Sequence, residues 1–100
     1  MESVYEEALV WELQQRGLDV KRQVVLPIRY KGKPLASPLR IDLIVADLVI
    51  VECKATASYS KIYESQALTY LRLSGMKLAL VINFGEPLVK NGIHRVVNGL

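Results

Sequence analysis

One cysteine, one histidine, one tryptophan and one phenylalanine are all that the 100 residues contain of these types. A lone Cys53 forms no internal disulfide, and nothing else offers thiolate ligands for a structural zinc, so the fold must hold by packing. Long apolar runs are absent too. Stretches such as Leu48 to Val51 and Leu78 to Ile82 fall far short of the roughly 20 residues a membrane span needs, and a soluble protein is expected. No basic stretch followed by an apolar one opens the chain, so no secretory leader is legible and a cytoplasmic location is the default expectation. Also missing are a Gly-x-Ser-x-Gly turn, a phosphate-cradling glycine loop and a cluster of histidines, which sets aside the hydrolase and nucleotide-binding classes built on them.

What is present suffices for one domain over residues 1–100. Half of the residues are hydrophobic (51%) and 23% are charged, enough for one core and not for two. The net charge of +3 is compatible with a polyanionic partner but well short of a strongly basic nucleic-acid binder.

Apolar spacing predicts a helix from Ser3 to Arg16, with Val4, Ala8, Leu9, Trp11 and Leu13 as its core positions, stopped by Gly17. Val20 to Tyr30 reads as a strand interrupted at Pro27 and suited to a sheet edge. After the turn signal Lys31-Gly32-Lys33-Pro34 come two runs, Leu39 to Ala46 and Leu48 to Ala55, close enough for an antiparallel hairpin. Both are apolar on both faces, which places them centrally under helices. A second helix over Ile62 to Leu73 ends at Gly75, a buried strand spans Lys77 to Phe84, and a short apolar run surrounds Ile93 to Val97. The expectation is an α/β fold in the order αβββαβ, with a central mixed sheet flanked by helices.

Two carboxylates stand where core residues belong. Asp42 interrupts Arg40-Ile41-Asp42-Leu43-Ile44-Val45, and Glu52 interrupts Val49-Ile50-Val51-Glu52-Cys53-Lys54. A buried carboxylate without a partner is expensive, so a salt bridge, a hydrogen-bond network or a metal ion must compensate. A three-residue loop at Ala46, Asp47 and Leu48 pairs Val45 with Val49 and sets Asp42 opposite Glu52, whereas a two-residue loop turns Glu52 to the other face. Lys54, two residues on, shares the face of Glu52, while Cys53 points away as a buried hydrophobe. Oxygen ligands at Asp42 and Glu52 suit Mg²⁺ or Mn²⁺, with Lys54 positioned to assist the attack of water on a phosphodiester. In the competing arrangement Lys54 simply neutralises both acids in a structural ion pair.

The order Asp42, then Glu52-Cys53-Lys54, across a hairpin after an N-terminal helix resembles the PD-(D/E)XK nuclease motif. Gln66-Ala67-Leu68-Thr69-Tyr70 is similar to the QxxxY signature of the RecB-like branch. Glu2 to Leu9, Arg40-Ile41-Asp42-Leu43, and Leu71 to Gly75 with Ile82 to Gly85 resemble the GxxExxY protein family of that superfamily. The glycine that opens the family's signature would precede Met1. The resemblance covers nearly the whole chain and implies a restriction-endonuclease-like core and a nucleic-acid substrate, DNA ahead of RNA. It also implies a site completed by Glu2 or Glu6 from the first helix and by Gln66 from the second. Gln66 and Tyr70, four apart, share a helix face.

Lys21, Arg22, Arg29, Lys31, Lys33, Arg40 and Lys61 could touch backbone phosphates, although solvated charge is the expected role of most of them. His94, alone in its segment, is left out of the site, and Tyr59 and Tyr63 are expected to pack locally. Two functions stay open: a metal-dependent nuclease, or a non-catalytic domain that binds nucleic acid or a protein partner. A homodimer is compatible with either, because minimal nuclease cores often work in pairs.

Overall fold

The computed structural model describes residues 1–100. Helix α1 (Glu2–Gln15) leads into strand β1 (Val20–Leu26), a small hairpin of β2 (Arg29–Tyr30) and β3 (Lys33–Pro34), and the long strands β4 (Leu39–Val45) and β5 (Val49–Lys54). Helix α2 (Ile62–Ser74), strand β6 (Leu78–Asn83), a 3₁₀ turn (Val89–Gly92) and strand β7 (Ile93–Val97) complete the chain. The five long strands form one sheet in the order β1-β4-β5-β6-β7, antiparallel except for the parallel β5–β6 pair. Helix α2 is the crossover that a parallel pair requires. No helix is long and apolar enough to cross a membrane.

The central strands are buried on both sides, as their doubly apolar pattern implies. Ile41, Ile50, Ala79 and Val81 pack with Ala67 and Leu71 of α2, while Leu43, Val45, Val51, Cys53 and Ile82 pack against Leu9, Val10 and Leu13 of α1. The strand expected over Val20 to Tyr30 is split: its ladder with β4 ends at the pair Leu26↔Leu39, and Pro27, which lacks an N–H to donate, starts the excursion into β2 and β3. β1 lies at the sheet edge, where that proline is tolerated.

Two expectations need correction. The order αβββαβ omits β7, which pairs with β6 and closes the far edge; its alternation of Ile93, His94, Arg95, Val96 and Val97 disguises a strand whose inner positions are His94 and Val96. Trp11 is not core but 58% exposed, Val4 is 60% exposed, and Ala8 is exposed as well. Helix α1 carries apolar residues around its whole circumference, and only the side bearing Leu9, Val10 and Leu13 meets the sheet.

Candidate metal and catalytic site

The β4–β5 hairpin takes the three-residue loop. Leu48 N–H donates to the Val45 carbonyl, Ala46 and Asp47 both adopt left-handed φ of 54°, and the register runs Val45↔Val49, Ile44↔Ile50, Leu43↔Val51. The ladder stops there. One step further on, Asp42 Oδ2 accepts a 2.8 Å hydrogen bond from the backbone N–H of Cys53, so its carboxylate lies against β5 between Glu52 and Lys54.

A kink frees Asp42 to do this. On its other side, Arg22 pairs with Leu43 and Val24 with Ile41, but Gln23 and Asp42 between them form no ladder pair. Gln23 has φ of 52°, a region uncommon for a residue with a side chain. Both strands therefore switch faces at this point: Val20 and Leu43 pack toward α1, Val24 and Ile41 toward α2. Glu6 anchors the distortion. Its buried carboxylate accepts from Gln23 Nε2 at 2.9 and 3.1 Å and from Arg22 Nε at 3.0 Å.

Glu52 is buried, and its Oε1 has no hydrogen-bond partner. Burial first, and then the charge of Asp42, push its carboxyl up to about 9; the nearby Lys54 charge opposes this only weakly. No ion pair joins Lys54 to either acid, which disfavours a structural neutralisation by that lysine. Its Nζ instead lies 4.8 Å from the centroid of the Tyr63 ring. That ring meets Tyr59 edge-on at 5.3 Å, and Tyr59 stacks on His94 at 4.0 Å while its hydroxyl donates to Glu64 at 3.2 Å. An aromatic row, unforeseen because its members come from three separate elements, thus backs the lysine.

The end of β5 is fixed by Asn83, buried at the end of β6. Its Nδ2 donates to the Thr56 carbonyl, and its Oδ1 accepts from the N–H groups of Thr56 and Gly85, all at 3.0 Å. Phe84 N–H donates to the Lys54 carbonyl at 2.8 Å. Gly85 is required here: a methyl group on it would overlap the Thr56 backbone.

Of the expected site residues, Asp42, Glu52 and Lys54 come together at one end of the hairpin. Glu6 is engaged with Arg22 and Gln23, and Glu2 is exposed at the start of α1. No group of three His, Cys, Asp or Glu side chains gathers. Gln66 is exposed on α2 without a side-chain hydrogen bond, one turn before Tyr70, whose hydroxyl is pushed up by burial and then by the charges of Glu52 and Asp42. Tyr70 packs partly buried against the apolar cluster under α2. Cys53 lies on the α1 side, its thiol pushed up to about 12 by burial, which suits a packing residue and not a ligand.

Residues 1–96 match the family model of the PD-(D/E)XK nuclease superfamily. No curated protein and no solved structure matches the chain. A mixed five-stranded sheet between helices is compatible with the restriction-endonuclease-like α/β fold of those nucleases, which typically use divalent metals. With both acids and the lysine on its central hairpin, and the match spanning all but the last four residues, this chain belongs to the PD-(D/E)XK nuclease superfamily.

Proposed function

We propose that the domain is a divalent-metal-dependent nuclease of the GxxExxY branch that hydrolyses phosphodiester bonds of nucleic acid. The observation that carries this reading is the buried Glu52 carboxylate, with Oε1 unpartnered, beside Asp42 and unneutralised by Lys54. Without metal such a carboxyl stays neutral by keeping its proton, and a hard cation held by oxygen would supply the positive charge that lets it ionise beside Asp42.

Asp42 and Glu52 would hold Mg²⁺ or Mn²⁺. When bound, the cation would stabilise negative charge developing on the phosphate. Lys54, free of any carboxylate partner and backed by Tyr63, orients its ammonium toward the attacking water and the phosphate oxygens. Gln66 and Tyr70 line the α2 side, where Gln66 contacts the substrate. Glu6 serves the site indirectly, by holding Gln23 and hence the kink that releases Asp42; Glu2 stands one turn before it. The second reading is a non-catalytic domain that keeps the fold and uses its basic surface to bind nucleic acid or a protein partner.

Calorimetric titration of Mn²⁺ into wild type and Asp42→Ala, followed by incubation of both with linear and circular DNA and RNA, separates these readings. Metal binding and cleavage by wild type alone support the nuclease. Wild type that binds no metal and cuts nothing overturns it.

A further inference from the structure

A polymeric substrate reacting at Asp42, Glu52 and Lys54 extends past them onto neighbouring elements. The charge distribution singles one out. Residues 20–41 hold six of the thirteen Lys and Arg residues and none of the ten Asp and Glu residues, so the remainder of the chain is net acidic. Two of these cations are already engaged, Lys21 with Asp47 at 2.6 Å and Arg22 with Glu6 at 3.0 Å. The other four, Arg29, Lys31, Lys33 and Arg40, are exposed and take part in no ion pair.

These four belong to the β2–β3 arm and its return into β4. The arm leaves the sheet at the Leu26↔Leu39 pair, the end of the hairpin at which Asp42, Glu52 and Lys54 meet. Asp42 is three residues from that pair, about 10 Å at strand rise. At the tip, Lys31 itself occupies a left-handed φ of 50°, next to Gly32 at 77°. Asparagine or glycine is the favoured residue at such a turn position, and lysine is not. Backbone strain of this kind collects at ligand clamps. Arg29 Nη1 donates to the Gly32 carbonyl at 2.7 Å, which stiffens the tip, and Lys31 lies over the exposed Tyr30 ring at 5.5 Å.

We infer that the β2–β3 arm is a phosphate-gripping clamp: Arg29, Lys31, Lys33 and Arg40 hold the nucleic-acid backbone beside the carboxylate pair. The contacts are to phosphate, so the arm sets affinity and register and reads no sequence. This rests on the nuclease reading only for the polymer's identity; the grip itself requires neither metal nor cleavage.

The test compares wild type with the triple variant Arg29→Ala, Lys31→Asn, Lys33→Ala and with a control of equal charge loss at the opposite end of the sheet, Arg16→Ala, Arg72→Ala, Lys77→Ala. Binding of fluorescein-labelled 20-base-pair duplex DNA, 20-nucleotide single-stranded DNA and RNA is measured by anisotropy in EDTA over a salt series, with thermal melting of each protein. The arm variant is expected to melt as wild type does, to lose at least about tenfold in affinity near 0.1 M salt, and to flatten the duplex log–log salt slope by about 2 to 3. The control keeps both the affinity and the slope. Equal losses in the two variants overturn the clamp, as does wild type that binds anionic lipid vesicles but none of the three nucleic acids. Binding that depends on the arm, with no cleavage under any metal, upholds the clamp and sinks the catalytic reading instead.

Discussion

The Asp42 carboxylate is pinned by the backbone N–H of Cys53, the residue that separates Glu52 from Lys54. One hydrogen bond thus ties the acid of one strand to the centre of the Glu-x-Lys motif of the next. Its position depends on Asp42 being excluded from the ladder on its β1 side.

That tie distinguishes two substitutions. Asp42→Asn keeps an oxygen for Cys53 and is expected to retain stability within about 0.5 kcal/mol while losing metal binding and cleavage. Asp42→Ala loses the same functions and also costs about 1 kcal/mol, because the Cys53 N–H loses its partner. Urea denaturation beside Mn²⁺ calorimetry reads both effects; Asp42→Asn that binds Mn²⁺ as wild type does rules out Asp42 as a ligand.

The raised carboxyl of Glu52 makes stability depend on pH. In the metal-free fold it holds its proton up to about 9, whereas the unfolded chain releases it near the ordinary value of 4.5. The native state then binds more protons across that window, so stability falls as pH rises from about 5 to 9. Glu52→Gln should flatten this slope and stabilise the metal-free protein at pH 8 by about 1–3 kcal/mol. Saturating Mn²⁺, at 100 times its dissociation constant, should stabilise wild type by about 2.7 kcal/mol and leave the Gln variant unchanged. A wild type whose urea midpoint is flat from pH 5 to 9 would falsify the assignment.

Lys54→Met isolates chemistry from binding. Lys54 makes no ion pair, so the variant should fold and take up Mn²⁺ as wild type does. Its cleavage rate should fall by about 10²-fold or more, the loss typical of removing one charge-stabilising donor. Cleavage at the wild-type rate removes Lys54 from the mechanism.

Asn83 predicts a structural phenotype outside the acids. Asn83→Ala strips partners from the Thr56 N–H and carbonyl and the Gly85 N–H, and should cost roughly 2–4 kcal/mol. Gly85→Ala should destabilise by about 1–3 kcal/mol through overlap with the Thr56 backbone. Thermal melts of both provide the check, with a shift of less than a degree or two counting against the Asn83 hydrogen bonds to Thr56 and Gly85 as a structural tie.

Trp11 offers a spectroscopic check on the packing of α1. Its fluorescence should be solvent-like and readily quenched by acrylamide, and Trp11→Ser should alter stability by no more than about 0.5 kcal/mol, against roughly 2–5 kcal/mol for the buried Leu71→Ala. Blue-shifted, protected emission would place α1 differently or cover it with a second copy.

Asp42, Glu52 and Lys54 were legible because charge on doubly buried strands breaks the binary pattern, and the loop at Ala46 to Leu48 determines which residues face each other. The kink was not. It depends on Glu6 reaching Gln23 seventeen residues away, and an apolar alternation that silently changes faces leaves no trace in spacing. The Tyr63 ring under Lys54 and the Asn83 clamp on Thr56 likewise depend on where α2 crosses and where β6 ends. Trp11 misled for the opposite reason: α1 is apolar on all sides, so periodicity could not tell its inner face from its outer one.

Leu26 and Leu39 are neighbours across the ladder, so residues 27–38 begin and end at the same place. Such a segment is an insertion point. A tight Asn-Gly turn, or a longer loop taken from another protein, could bridge the pair without moving either acid, since each doubling of loop length costs only about 0.6 kcal/mol. Mutation and recombination can therefore lengthen, shorten or exchange this segment while the hairpin chemistry stays intact, and relatives of this domain can diverge in what they hold long before they diverge in what they do to it.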